Sequence, residues 1–455
     1  MAKQRDINRW RKGKQHWNKW ADGRLKAKEK LERDERWEVD DEGNALNAET
    51  KRWIDAASID FSNYDFKGSA GFNEFLFPYF AVFSDAQFRK EAHFGKARFY
   101  GEAGFHNVTF SGTAWFLGST FFKDAWFQKG TFSEDAWFNE VTFSGTGRFR
   151  DTTFCKVAYF NQATFSCAVR FTDTTFSDEA WFGEATFTDD AWFDGVTFTD
   201  LAWFNKSTFS KFAAFGQCTF DGNTIFDGAK FTGDASFRSA ESSGPFSLAN
   251  AEFSVVPDYI QMEFSKPLRL DDIEVQQPGG WCRPGDKEYA ARYRALKKIA
   301  IESHDHSREL QFFAGEIRES RSSEDRMFSP AWFFSFAYEI FSDFGRSIMR
   351  PLVVLFLLAL SFAAICGTNV SANWRNTCNW QSDSILPEFY LSFLHSLPIV
   401  GFGRVEKRDL ALDCLFGSKE NVSPGWDVIF IGQNFCSAIL IFLFLLALRN
   451  HFRIK

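Results

Sequence analysis

From Phe61 to Phe237 a phenylalanine recurs at alternating steps of five and six residues without a gap: Phe61, Phe66, Phe72, Phe77, Phe83 and onward to Phe226, Phe231 and Phe237. The alternation continues through Leu248, Phe253, Tyr259, Phe264 and Leu270 if Ser242 takes one polar slot. An eleven-residue period over half the chain marks a repeat array. A right-handed helical supercoil needs an apolar residue every 3.67 positions. Steps of five and six would instead put Phe on two helical lines roughly 140° apart, at about 100° per residue. Units such as AWFQKGTF and AWFNEVTF are rich in Thr, Gly and aromatics, which favour extended structure and turns. The pattern predicts a β-solenoid.

Two residues before the Phe stands a small residue, as in Ala114, Ala125, Ala136, Ala158, Ala180, Ala191 and Ala202, so both positions can face inward on a period of two. The residue between them must face outward. Every eleven residues from Thr109 to Thr219 it is Thr; on the alternate units it is Trp115, Trp126, Trp137, Tyr159, Trp181, Trp192 and Trp203, broken by Arg148 and Arg170.

These units resemble the pentapeptide-repeat family, in its Phe-rich variant with one residue added to every second pentapeptide. The resemblance covers Phe61 to about Leu270 and implies an all-β, right-handed, four-sided β-helix with about 22 residues per coil and roughly nine coils, on the order of 45 Å long. On such a coil Trp115, Trp137, Tyr159, Trp181 and Trp203 stack on one side as a candidate binding surface, opposite Trp126, Arg148, Arg170 and Trp192. The competing reading is that the aromatic column only stabilises neighbouring coils.

The regions flanking the array differ in character. Residues 1–60 read as a basic helix carrying Trp10, Trp17 and Trp20, then an acidic connector. The helix is suited either to an anionic membrane surface or to capping the first coil. Residues 271–345 predict amphipathic juxtamembrane helices, opened by Asp286 as a cap and placing His304 and His306 on one helix, two residues apart and on different faces. Ser347–Gly367 and Asp427–Leu448 are each long and apolar enough to cross a bilayer, so residues 346–455 read as a two-helix transmembrane region with an extracytoplasmic loop 368–426. Arg346 and Arg350 before the first span, and Arg449, Arg453 and Lys455 after the second, place both termini on the cytosolic side. An opening sequence without an apolar stretch agrees with that orientation. The segments DFGRSIMRPL and LALRNHFRIK are similar to the carboxy-terminal region of bacterial membrane-attached pentapeptide-repeat proteins, which implies the inner, cytoplasmic membrane. Gln433 and Asn434 inside the second span are expected to face protein and to hold helices together, and a hairpin this small is expected to form a homo-oligomer.

In the loop, Val400, Gly401, Phe402 and Gly403 resemble the VGFG of a potassium-channel filter, which implies a monovalent cation path lined by backbone carbonyls. Ile399, Pro398 and Arg404 depart from that pattern. Cys378 and Cys414 would both face the oxidising side and are the candidate disulfide.

With 455 residues, 59 Phe, 16 Trp and a net charge of −7, the chain has no phosphate-cradling GxxxxGK[ST], HExxH or GxSxG, and its eight cysteines have no metal-ligand spacing. The expectation is a non-enzymatic scaffold with no cofactor and no metal, binding an unidentified protein partner. A two-span ion channel and an acidic DNA mimic are the alternatives. The acidic excess is modest and interrupted by Arg148, Arg150 and Arg170, which counts against the mimic, and nucleic acid is not an expected partner.

Overall fold

A computed structural model describes residues 2–40, 43–276, 286–323, 329–368, 386–396, 405–417 and 424–454. The chain forms two compact units, Met1–Arg283 with Ala291–Asp305, and Pro284–Ala290 with His306–Lys455.

In the first unit the phenylalanine beat winds the chain into a four-sided parallel solenoid. Strands of two residues stack into four sheets, two of nine strands and two of ten. Like pairs with like: Ala114 with Ala136, Trp115 with Trp137, Thr120 with Thr142, Phe121 with Phe143. Each Phe of the five-and-six beat from Phe61 to Phe237 is buried, and rings one coil apart lie nearly parallel, as Phe105 and Phe127 do at 4.8 Å and 2°. Rings on opposite sides of the interior meet edge to face, as Phe127 and Phe138 do at 5.5 Å and 90°.

The alternation of five and six has a backbone cause. Every five-residue step contains a turn whose third residue has positive φ, recurring each eleven residues from Asn63 to Asp272, with Gly at 118, 195 and 228. At Phe149 the turn closes when Thr152 N donates to Phe149 O at 3.1 Å, and Asp151, at φ 56°, donates its N–H to Thr172 O of the next coil at 3.1 Å. This is type II geometry, which is usually reserved for Gly or Asn. The coil-to-coil hydrogen bond holds Lys129, Glu140 and Glu184 in the same unfavourable region. Several polar side chains in the small inner slot are satisfied by main chain: Thr174 Oγ1 donates to Phe149 O at 2.7 Å and Cys218 Sγ to Phe193 O at 2.9 Å.

Ser242 takes the expected polar slot, buried at 2% exposure. The missing ring is replaced by Phe246, which enters from a position that holds Thr224 in the coil before and Ala in the earlier ones, and packs edge-on to Phe220 at 5.5 Å and Phe264 at 5.6 Å. The array also runs past Leu270 to a last strand, Glu274–Val275.

Helices α1 (Gln4–Trp10) and α2 (Lys14–Arg33) close the first coil, which decides between the two readings of their tryptophans. Trp17 is fully buried against Phe61, its Nε1 donating to Leu76 O at 2.8 Å; Trp10 stacks on Phe72 at 5.5 Å. Asp6 accepts from Asp60 N at 3.1 Å, so an open strand edge is also satisfied. The segment expected to be a plain connector contains a third helix, α3 (Ala48–Ala57), capped by Asn47, whose side chain accepts from Thr50 N at 2.8 Å. At the far end α4 (Lys287–Glu302) lays Leu296 and Ala300 against the solenoid, and Arg292 Nη1 donates to Asp234 Oδ1 at 2.6 Å and to Val256 O at 2.9 Å.

In the second unit Asp286 caps α4 as expected, its carboxylate accepting from Glu288 N at 2.8 Å. The two histidines do not share a helix: α4 ends at Glu302, His304 turns the chain at φ 56°, and α5 (His306–Ser323) begins at His306. Arg318 and Arg321 of α5 pair with Glu339 of α6 (Pro330–Ser342), each at 2.7 Å. Helices α7 (Met349–Gly367) and α10 (Pro424–Ile454) are long and apolar enough to cross a membrane. Only 17% and 28% of their apolar stretches are buried within the protein, unlike core helices of a soluble fold.

Between them lie α8 (Pro387–Ser396) and α9 (Val405–Phe416). The segment read as an extracytoplasmic loop thus includes a helix packed beside the middle of α7, for Ser392 Oγ of α8 donates to Ala359 O at 2.6 Å. Gln433 does hold helices together: its Nε2 donates to Ser392 O, Ser392 Oγ and Ser396 Oγ at 3.0 to 3.1 Å. Asn434 Oδ1 lies 3.3 Å from His395 Nδ1.

Candidate functional site

The four faces of the solenoid carry different outward ladders. Two opposite faces are threonine columns, Thr109 to Thr219 on one and Thr120 to Thr208 on the other. The other two carry the aromatic residues, in the register the sequence implies: Trp115, Trp137, Tyr159, Trp181 and Trp203 on one, and Trp126, Arg148, Arg170 and Trp192 on its opposite.

On the first of these faces the rings meet in two groups, Trp115 to Tyr159 and Trp181 with Trp203. Trp115 and Trp137 lie 5.0 Å apart at 13°, Trp137 and Tyr159 4.1 Å at 24°, and Trp181 and Trp203 5.3 Å at 32°. Because the parallel ladder fixes each Cα beside its counterpart, the rings are pre-ordered, and all five remain partly accessible. Acids flank the column. Trp181 Nε1 donates to Glu179 Oε2 at 2.9 Å, and the Tyr159 hydroxyl is pushed above its ordinary pKa by burial and then by Asp135, Glu179 and Asp178. The face is therefore aromatic and flanked by acids, with ring edges partly accessible to a second molecule.

The opposite face is built differently. Arg148 lies over Trp126 at 4.9 Å and donates to Asp124 Oδ2 at 3.0 Å, and Trp192 meets Phe212 edge-on at 5.3 Å. Its cations are interleaved with the aromatics.

Cys414 is disulfide-bonded; Cys378 lies outside the described residues. Val400, Gly401, Phe402 and Gly403 also lie outside them, so the structure describes only the approach to that loop, α8, with Leu391 in a small core with Cys366, Leu415 and Phe430. Among the described residues no group of three or more His, Cys, Asp or Glu is placed to hold a metal ion. Sequence reasoning missed the left-handed turn Asp343–Gly345, although the Asp-Phe-Gly run after an apolar helix signals a reversal.

Stacked two-residue strands, an aromatic interior and one ladder per face define a four-sided parallel β-solenoid. Residues 83–131, 149–197 and 193–241 match the profile of pentapeptide repeats (9 copies), and the array is a phenylalanine-rich run of these repeats. No curated protein and no solved structure matches the chain.

Proposed function

We propose that the protein is a membrane-anchored recognition scaffold that makes and breaks no covalent bond. The observation that carries this reading is the pre-ordered, partly exposed column Trp115–Trp137–Tyr159–Trp181–Trp203 with acids beside it. Rigid indoles lose little entropy on binding and supply large contact areas, which is why they dominate interface energetics. An aromatic face flanked by acids favours a protein partner presenting Arg or Lys, whose cations can lie over the rings.

Helices α7 and α10 serve as the anchor in a bacterial inner membrane, with both termini cytosolic, supported by the cations at their shared end. Their largely uncovered apolar sides suit lipid together with a second copy of the chain.

The test is recovery of partners from native membranes with full-length protein. Trp181→Ala combined with Trp203→Ala should reduce recovery roughly tenfold or more, since interface tryptophans contribute about 2 kcal/mol each. Unchanged recovery by a folded double variant would remove the column as the contact surface.

The channel reading retains one supporting observation, a short helix packed beside the middle of α7 immediately before Val400–Gly403. A potassium-selective conductance in planar bilayers, abolished by Gly401→Asp, would replace the scaffold reading.

A further inference from the structure

Three segments of the second unit line a largely polar cavity of about 140 Å3: Ser307, Leu310 and Gln311 of α5, Gly345 and Arg346 of the turn after α6, and Asn450 and His451 near the end of α10. The turn is unusual. Asp343, Phe344 and Gly345 all have positive φ, at 49°, 55° and 78°. Two of the three are not glycine, and such a conformation persists only where the surroundings impose it. Here the Phe344 ring is fully buried beside Tyr338 at 5.5 Å and Phe313 at 6.4 Å, and Asn450 Nδ2 donates to Gly345 O at 3.3 Å. A Cβ on Gly345 would stand 2.9 Å from Asn450 Nδ2 and 3.0 Å from the Tyr338 hydroxyl, so a larger residue would have to displace both side chains.

What this turn presents is Arg346, exposed and without a side-chain partner among the described residues. The acid nearest in sequence, Asp343, is already engaged by Arg318 at 3.2 Å. Gln311 accepts from Arg308 Nη1 through its Oε1 at 2.7 Å, which leaves its amide N–H groups to donate into the cavity. Arg449, next in the chain to the lining residue Asn450, reaches its Oδ1 through Nη2 at 3.5 Å. The cavity therefore has a net positive charge and several uncommitted donors.

Its position narrows the ligand. α7 begins at Met349 and the apolar run of α10 ends at Leu448, so the cavity sits at the same end of both, just past the hydrocarbon-length stretches. In a bilayer this is the depth of the phosphate layer. In the same unit Phe333 and Phe334 of α6 are 62% and 70% exposed, as suits a helix lying in the interface. We propose that the cavity binds the phosphate of an anionic phospholipid headgroup, with Arg346 as its principal cation and Ser307, Gln311 and His451 as donors.

The proposal rests on α7 and α10 crossing a bilayer, and alkaline carbonate extraction of membranes tests that separately. Protein released by carbonate would fail the anchor reading itself. The site is tested on the purified full-length chain in mild detergent, by native mass spectrometry of retained lipid and by thermal melting with added phosphatidylglycerol, phosphatidylcholine or inorganic phosphate. Wild type should retain phosphatidylglycerol over phosphatidylcholine and melt higher with it. Arg346→Gln should weaken retention about tenfold, the loss expected for one charge-assisted contact, and Arg346→Lys should restore part of it. Equally tight, Arg346-dependent binding of inorganic phosphate would support the anion site and assign it to the free ion. Equal retention of both lipids, or no change in Arg346→Gln at unaltered melting without lipid, would overturn the proposal.

Discussion

Replacing Phe149 by alanine is the sharpest test of what holds the rod together. Its ring is fully buried, stacked on Phe127 at 4.9 Å and Phe171 at 4.7 Å, and edge-on to Phe138 at 5.7 Å and Phe160 at 5.6 Å. Phe→Ala in a core costs about 3–5 kcal/mol, depending on how far the surroundings collapse into the gap. Collapse is restricted here, because each neighbour is itself clamped by a ring above and a ring below. Four aromatic contacts, each contributing about 0.5–1.5 kcal/mol beyond area burial, point the same way. The expected loss is therefore about 4–5 kcal/mol. Since a coil touches only the coils beside it, the damage should also divide the unfolding into separate transitions on either side. Guanidinium titration of the full chain in detergent, followed by far-ultraviolet circular dichroism, reads both effects. Thr153→Ala, one coil-face away and outward-facing, should stay within about 0.5 kcal/mol of wild type. If Phe149→Ala shifts the transition no more than Thr153→Ala, the ring column is not the source of stability.

His106 gives a pH test: burial, and then the charge of Arg148, hold its imidazole below the ordinary pKa of 6.5. The unfolded chain then binds the proton more readily, so stability should fall as pH drops from about 6.5 through the depressed folded value. His106→Gln should flatten that fall, and an identical pH profile in wild type and variant would refute the assignment. For Cys378 and Cys414, non-reducing electrophoresis of protein taken directly into alkylating agent should show faster migration that reductant abolishes. Free alkylation of both thiols would rule the bridge out.

The solenoid was legible because residue identity itself carries its period, and because a five-and-six step fits no helix. Its corners were not. The left-handed positions hold Lys129, Glu140 and Gln162 as readily as Asn107 or Gly118, so composition hides a conformation imposed by the next coil. Phe246 was unreadable for a related reason: it compensates for Ser242, which pairs in register with Phe220 on a different face. At the amino terminus, tryptophans among lysines fit a lipid surface and a solenoid end equally well in sequence, and only the contact of Trp17 with Phe61 separates the two. The aromatic column and its register could be read in advance, since parallel stacking converts spacing directly into adjacency. The cavity beside Arg346 could not, because α5, the turn and α10 bring together residues more than a hundred positions apart.

Aromatic and arginine-bearing sides lie opposite each other while their units look nearly alike at eleven residues, and this constrains how such a chain can lengthen. Duplicating a whole coil would extend the rod and keep every column in line. Duplicating half a coil would leave the interior equally well filled yet turn everything beyond it half a revolution, so that tryptophans from one flank continue into arginines of the other. Growth that preserves the fold is thus permitted in either increment, but growth that preserves a contact surface is permitted only in the larger.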